Sequence, residues 1–204
     1  MEKQKKQVRK SRRKNFLVET YSFSWKYIKE SKNFILLIIL IYLWAFIIAI
    51  YYHPPEIANL IIEFLEDLLK RTEGLGTGET ILFILDNNFK SSFWALVLGV
   101  FLGIFPVLIS FANGYVLGFV AEKAVSREGL LSLWRLLPHG IFEIPALFIS
   151  LGLGTRLGFF IFAKNKKAEF LRRVQESLRV FLFVILPLLI IASIIEGILI
   201  YLVG

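Results

Sequence analysis

The 204 residues contain no cysteine. Disulfides, thiolate metal sites and cysteine nucleophiles are thereby excluded. Histidine is scarce too: His53 and His139 are the whole supply. Charged residues make up 20% of the chain, short of the roughly 25% typical of a soluble domain. Apolar residues fill the gap at 56%, with 20 phenylalanines, more than a water-facing surface can hide. The length allows one domain or two small ones. Yet Lys and Arg outnumber Asp and Glu by 24 to 16, so the chain is strongly apolar and strongly basic at once.

Segmenting the charge resolves this pairing. Residues 1–33 carry eleven basic residues against Glu2, Glu19 and Glu30, and residues 163–179 carry six more. Residues 53–90 reverse the balance, with three basic residues against seven acids. Lys and Arg beside a membrane span resist translocation, so the first two segments read as cytoplasmic and 53–90 as external. Residues 34–52 are uncharged and long enough for a span, and too long for the apolar region of a signal peptide. Further apolar runs cover 91–121, 138–162 and 179–203. Parity then requires an odd number of crossings between 90 and 163. Splitting the long run at Asn113-Gly114 satisfies it, with spans near 91–112 and 114–125, the second short or re-entrant. The expected fold is an all-α polytopic helical bundle of about five crossings in the cell membrane, N-terminus cytoplasmic. A basic segment at 1–33 precedes a membrane domain at 34–204. Two amphipathic pieces flank the spans, an acidic one at 56–71 and a basic one at 164–179.

Polar residues inside such runs are expensive, at about 2.5–3.5 kcal/mol for a central charge. The candidates are Asn113, His139, Glu143 and Glu196, with Asp86, Asn87 and Asn88 at the outer edge. His139 and Glu143 stand one helical turn apart, on one face. A hydrogen-bonded structural pair, a proton relay and a share in a metal site are all open. Two ligands fall short of the three or four a zinc site normally needs, and a metalloprotease His-Glu-x-x-His motif lacks its second His, so no metal, cofactor or catalytic residue is expected. Small residues recur four apart at Gly99 and Gly103, Gly114 and Gly118, and Gly154 and Gly158. Such pairs let membrane helices approach at backbone distance, and homodimerisation through any of them stays open.

Four stretches carry a family resemblance: Asn113-Gly-Tyr-Val-Leu-Gly118, Leu137-Pro-His-Gly-Ile-Phe-Glu-Ile-Pro-Ala146, Gly152-Leu-Gly-Thr-Arg-Leu-Gly158 and Ile195-Glu-Gly197. Their order and spacing resemble the stage II sporulation protein M family over roughly 16–204. The resemblance implies an integral membrane scaffold that joins partner proteins, which in spore formers degrade cell wall during engulfment. It extends to bacteria and archaea that make no spores, and nothing in the chain looks like a wall hydrolase. Two functions are thus expected in competition: a non-enzymatic scaffold, and a transporter, channel or lipid-handling protein built on the intramembrane polar residues. The run Lys3–Lys14 lacks interleaved aromatics, so anionic lipid rather than nucleic acid is its expected partner.

Overall fold

A computed structural model describes residues 18–203, without the side chains of 134–139 and 203; the basic run Lys3–Lys14 lies outside the described residues. The described residues are helical almost throughout, with no strand among them. Helix α1 covers residues 18–30 and continues through Ser31 into α2, Lys32–Tyr51. Pro54 and Pro55 end that rod and begin α3, Pro55–Thr72. Then come α4 (Thr77–Leu98), α5 (Ile104–Glu128), a 3₁₀ segment (Leu130–Leu136) and α6 (Leu137–Gly158). Helix α7 (Lys166–Val180) runs through a π-turn at Phe181–Ile185 into α8 (Leu186–Val203). Pro187, which has no N–H to give to the helical ladder, stands just after that widened turn. Five helical stretches are long and apolar enough to cross a membrane: Lys32–Tyr51, Thr77–Leu98, Ile104–Glu128, Gly140–Phe162 and Lys166–Leu202.

The second and third of these differ from the sequence expectation. The chain turns at 99–103, not at Asn113-Gly114, and α5 is a full 25 residues rather than a short or re-entrant span. Leu102 and Gly103 supply the reversal with φ of 59° and 70°. Asn113 and Gly114 lie within α5, where the glycine serves close approach rather than a turn. Helix α4 also begins at Thr77, so Asp86, Asn87, Asn88 and Lys90 belong to a membrane-length helix and not to an outer loop.

Small side chains make the tightest helix contacts. Ser110 Oγ of α5 donates to the Ile38 carbonyl of α2 at 2.9 Å. One turn on, a methyl on Gly114 would strike the Tyr42 carbonyl, and one turn further a methyl on Gly118 would strike that of Phe46. The partners advance together, so α2 and α5 run parallel. Helices α4 and α6 form a second parallel pair: Ser150 Oγ donates to the Ser92 carbonyl at 2.6 Å, and Gly154 and Gly158 lie against Ala95 and Gly99. Gly152 presses on Ile35 of α2, and Gly103 on Thr155 of α6. The expected glycine pairs thus pack helices within one chain. Phe119, Phe181, Leu151 and Leu189 fill the core, while other large apolar residues turn outward, as Leu36, Leu40, Leu43, Trp44 and Ile47 do on α2. Small residues at the helix seams and large apolar residues on the outer surface are the pattern of a bundle solvated by lipid.

One end of the bundle is basic. It holds α7, the α6–α7 connection with Lys164, Lys166 and Lys167, and the α1–α2 junction. The other end is acidic and is crossed by α3, which seats Ile61 against Ala45, Ala49, Tyr115 and Phe119. Helix α3 leaves Glu63, Glu66 and Asp67 exposed on its far side.

Candidate functional site

Glu143 of α6 is half-buried, and Asn88 of α4 donates Nδ2–H to its Oε2 at 2.6 Å. Tyr42 of α2, a buried ring, lies within electrostatic reach of the same carboxylate. Three helices therefore meet around Glu143, near the middle of α2 and α4 and close to the start of the α6 span. The other expected members are placed differently. Asn113 donates Nδ2–H to Ile109 of its own helix at 2.8 Å. Glu196 sits half-buried on α8, next to the Gly197 that packs on Ile81 of α4. His139 belongs to the first turns of α6, but its side chain lies outside the described residues. Among the described residues no group of three or more His, Cys, Asp or Glu could hold a metal ion. What the Asn88–Glu143 pair can do is bind or pass a proton, or fix α4 against α6.

A densely connected polar site among the described residues is at the basic end, on Arg156, which is not among the expected site residues. Arg156 of α6 is 8% exposed. Its guanidinium donates to Ser31 Oγ at 2.8 Å, to the Tyr27 carbonyl at 3.3 Å and to Glu30 Oε2 at 3.0 Å, and it stacks 4.3 Å from the Tyr27 ring centroid. Arg173 of α7 donates to the Arg156 carbonyl. Arg172 reaches Glu30 at 3.7 Å, while Glu169 holds both Arg172 and Arg173. The hydrogen bond from Arg156 holds the Glu30 carboxyl below its ordinary range, and burial pushes the Tyr27 phenol up. This network ties α1, α6 and α7 together. Its signal in the sequence is a lone arginine in the apolar run 144–163.

Helix α1 is patterned inside out. Thr20, Ser24, Tyr27 and Ser31 are buried on one face, at successive turns. Val18, Tyr21, Trp25, Lys29 and Lys32 are exposed on the other. A surface helix in water would reverse the two. Aromatic rings beside lysines suit a membrane–water interface, and Lys29 Nζ lies 5.5 Å from the centroid of Trp25.

The acidic end has its own tie. His53 Nδ1 is 3.0 Å from the Ala49 carbonyl, which fits an Nδ1–H donor and leaves Nε2 to accept from Lys123 at 3.3 Å. Glu122 is held by Lys123 at 3.0 Å and by Ser126 at 2.7 Å. Tyr115 donates to the Tyr52 carbonyl at 2.7 Å. At the other end of α3 lies an open cleft of about 810 Å³ between the end of α3, the start of α4 and the end of α8, lined by Glu66, Lys70, Glu73, Thr80 and Tyr201 among others.

With this layout established, comparison with known proteins gives the chain a family. The model of the stage II sporulation protein M family matches residues 33–199, which takes in every helix from α2 to α8. The chain belongs to the stage II sporulation protein M family. An uncharacterised protein of Methanocaldococcus jannaschii is 34% identical over 125 residues, a match covering 58% of this chain and 56% of that one. The chain thus spans little more than half the length of that curated relative. No solved structure matches. Family membership and the five apolar helices make this member an integral membrane protein.

Proposed function

We propose that this stage II sporulation protein M family member is a non-enzymatic membrane organiser. It sits in the cell membrane with its N-terminus and basic end in the cytoplasm and presents its acidic end to partner proteins. The observation that carries this reading is the contrast between a core packed at backbone distance and the amphipathic α3, which rests on it through Ile61 and leaves its acidic side exposed. The α2–α5 and α4–α6 contacts leave little freedom to rearrange, whereas α3 and its cleft offer an exposed surface of mixed charge. The concentration of Lys and Arg at one end supports the orientation. The inside-out pattern of α1 supports anionic lipid as a partner of that end.

The test uses the cysteine-free background. Lys167→Cys should react with an impermeant maleimide only after the cells are opened, and Glu66→Cys in intact cells. Crosslinking in native membranes should recover a defined partner that is lost when Glu63, Glu66 and Asp67 are changed to Lys. Recovery of no such partner, or of the same proteins from the altered chain, would sink the scaffold reading.

A second reading, transport of a proton, ion or small solute, is favoured by the Asn88–Glu143 pair within the spans of α4 and α6. Flux into liposomes that disappears in a folded Glu143→Gln protein would put this reading first.

A further inference from the structure

Helix α3 exposes more apolar surface than a helix bathed in water would. Only Ile61 of α3 is buried, with Ala58 and Leu65 half-buried in the same stripe. On one flank of that stripe Ile57, Leu60 and Phe64 recur at helical spacing and stay exposed, Leu60 to 65% and Phe64 to 53%. On the other flank Leu69 lines the cleft beside α8. Asn59, Glu63, Glu66 and Lys70 form a polar arc opposite the stripe. The seat of α3 does not lie beyond the end of the bundle. Ile61 packs on Ala45 and Ala49, which precede the last residue of α2, Tyr51, by six and two positions. At about 1.5 Å per residue those contacts lie about 3–9 Å inside the end of that span. An amphipathic helix in a membrane interface rides at a similar depth, its apolar side about 5–10 Å into the boundary between headgroups and acyl chains. Aromatic residues mark the same level: Tyr51 and Tyr52 after α2 and Tyr201 near the end of α8 are exposed. Just below Tyr51 the lipid-facing surface of α2 continues through Ile47 and Trp44.

We propose that the Ile57–Leu60–Phe64 edge of α3 is immersed in the lipid leaflet at the acidic end of the bundle. Helix α3 then has three neighbours. The bundle takes the Ile61 stripe, acyl chains take the Ile57–Leu60–Phe64 edge, and water takes the arc of Glu63 and Glu66. The depth of the seat carries the argument, and continuity with the lipid-facing side of α2 supports it. The kind of lipid follows from charge. Asp67 borders the immersed edge, with Glu63 and Glu66 beyond it, and all three are exposed. Such a row repels anionic headgroups, so the leaflet that suits it has zwitterionic or neutral ones. Arg71, paired with Asp67 at 2.7 Å, has the long stem that lets a charge stay at headgroup level while its carbons lie along lipid. Lipid on one side and a single buried isoleucine on the other hold α3 in place, so its pose depends on the bilayer as much as on the bundle. The inference rests on the membrane reading, and is independent of which end faces the cytoplasm and of whether partners bind.

Because the chain has no native cysteine, single substitutions report directly. The purified protein is placed in phosphatidylcholine liposomes with a polarity-sensitive fluorophore on one cysteine. On Leu60→Cys and Phe64→Cys the fluorophore should emit as in an apolar medium. Bromines placed high on the acyl chains should quench it better than bromines placed deep. On Leu40→Cys, halfway along the outer face of α2, the deep bromines should quench better. On Glu63→Cys and Glu66→Cys the fluorophore should emit as in water and escape both. Water-like emission at 60 and 64 would overturn the proposal. Apolar emission there without bromine quenching would overturn it too, because protein, a second copy included, would then cover the edge. A second readout needs no fluorophore. In the same liposomes, opened on both sides, an impermeant maleimide should modify Glu63→Cys and Glu66→Cys at least tenfold faster than Leu60→Cys and Phe64→Cys. Equal rates would likewise overturn the proposal. No partner protein is present in either experiment, so failure of the organiser reading would leave both results unchanged.

Discussion

The two parallel helix pairs are built differently. Between α2 and α5 the contacts repeat without drift: Ser110 on Ile38, Gly114 on Tyr42, Gly118 on Phe46, each pair one turn beyond the last. Between α4 and α6 the register slips. Glu143 and Asn88 are 55 positions apart, Ser150 and Ser92 are 58 apart, and past them Gly154 reaches Ala95. Pro145 lies inside α6 between the first two contacts, where the intrahelical ladder must loosen. The first seam is therefore uniform, held by backbone approach with the Ser110 hydroxyl at one point and the Tyr115 hydroxyl at its acidic end. The second is tight at the basic end and opens into a polar pair toward the acidic end. A seam of backbone contacts can only hold; a seam with a carboxyl in it can also respond.

The largest effect that separates the seams is steric. Gly118→Leu forces a side chain into the Phe46 backbone, which cannot move aside without displacing α2. We expect a loss of about 3 kcal/mol, at the top of the usual overpacking range, seen as aggregation in detergent chromatography. Gly140→Ala, whose nearest neighbour would be the end of the Ile144 side chain at 3.5 Å, should elute normally. If both behave alike, the distinction between packed and open positions fails. Next comes Glu143→Leu, which strands the Asn88 amide in an apolar setting. Its expected cost is about 1–3 kcal/mol in thermal unfolding, with Glu143→Gln closer to the parent because its carbonyl still accepts.

Ser110→Ala removes one hydroxyl from the uniform seam and should cost about 1 kcal/mol with no effect on any flux. The smallest effect is on the tie between the seams, since Arg156 of the second is bonded to the chain entering the first. Glu30 is acidified by Arg156, so its contribution is present above the carboxyl's unfolded value and is lost as pH falls through its lower folded value. Trp25 emission, in a variant whose other tryptophans are Phe, should therefore change only in strongly acidic buffer. Arg156→Met should abolish that acid transition. An acid transition that survives in Arg156→Met would place its origin elsewhere.

These seams were unequally legible in the sequence. The uncharged run 34–52 announces α2, because nothing in it competes with a span. Helix α4 was hidden twice. Asp86, Asn87, Asn88 and Lys90 lower its hydropathy and read as an external loop, although a helix can carry them with Asp86 paired to Lys90 and Asn88 to Glu143. The turn that ends it, Gly99-Val-Phe-Leu-Gly103, is apolar and so merges with the helices on either side. Asn113-Gly114 misled for the converse reason: the dipeptide favours turns in water, but between two membrane helices the missing Cβ serves packing. Glu143 was visible as a charge in an apolar run. Arg156, visible on the same ground, gained its meaning only from Tyr27, Glu30 and Ser31, more than a hundred residues earlier.

The 99–103 turn bears on how the chain enters the bilayer. Val100, Phe101 and Leu102 carry no polar side chain, and Phe101 and Leu102 remain exposed on the bundle surface. Leu102 even accepts a left-handed backbone, which costs about 1–2 kcal/mol for a residue with a side chain, where a second glycine would be free of it. The reversal stands at the basic end of the bundle, beside Gly158 of α6, and with no polar side chain it can lie against the bilayer rather than reach out into water. Helix α4, with its central ion pair, is poorly suited to partition alone, but joined to α5 by such a turn it can enter as one half of a hairpin. The short link thus carries strain at Leu102 and keeps the least apolar span beside a more apolar companion.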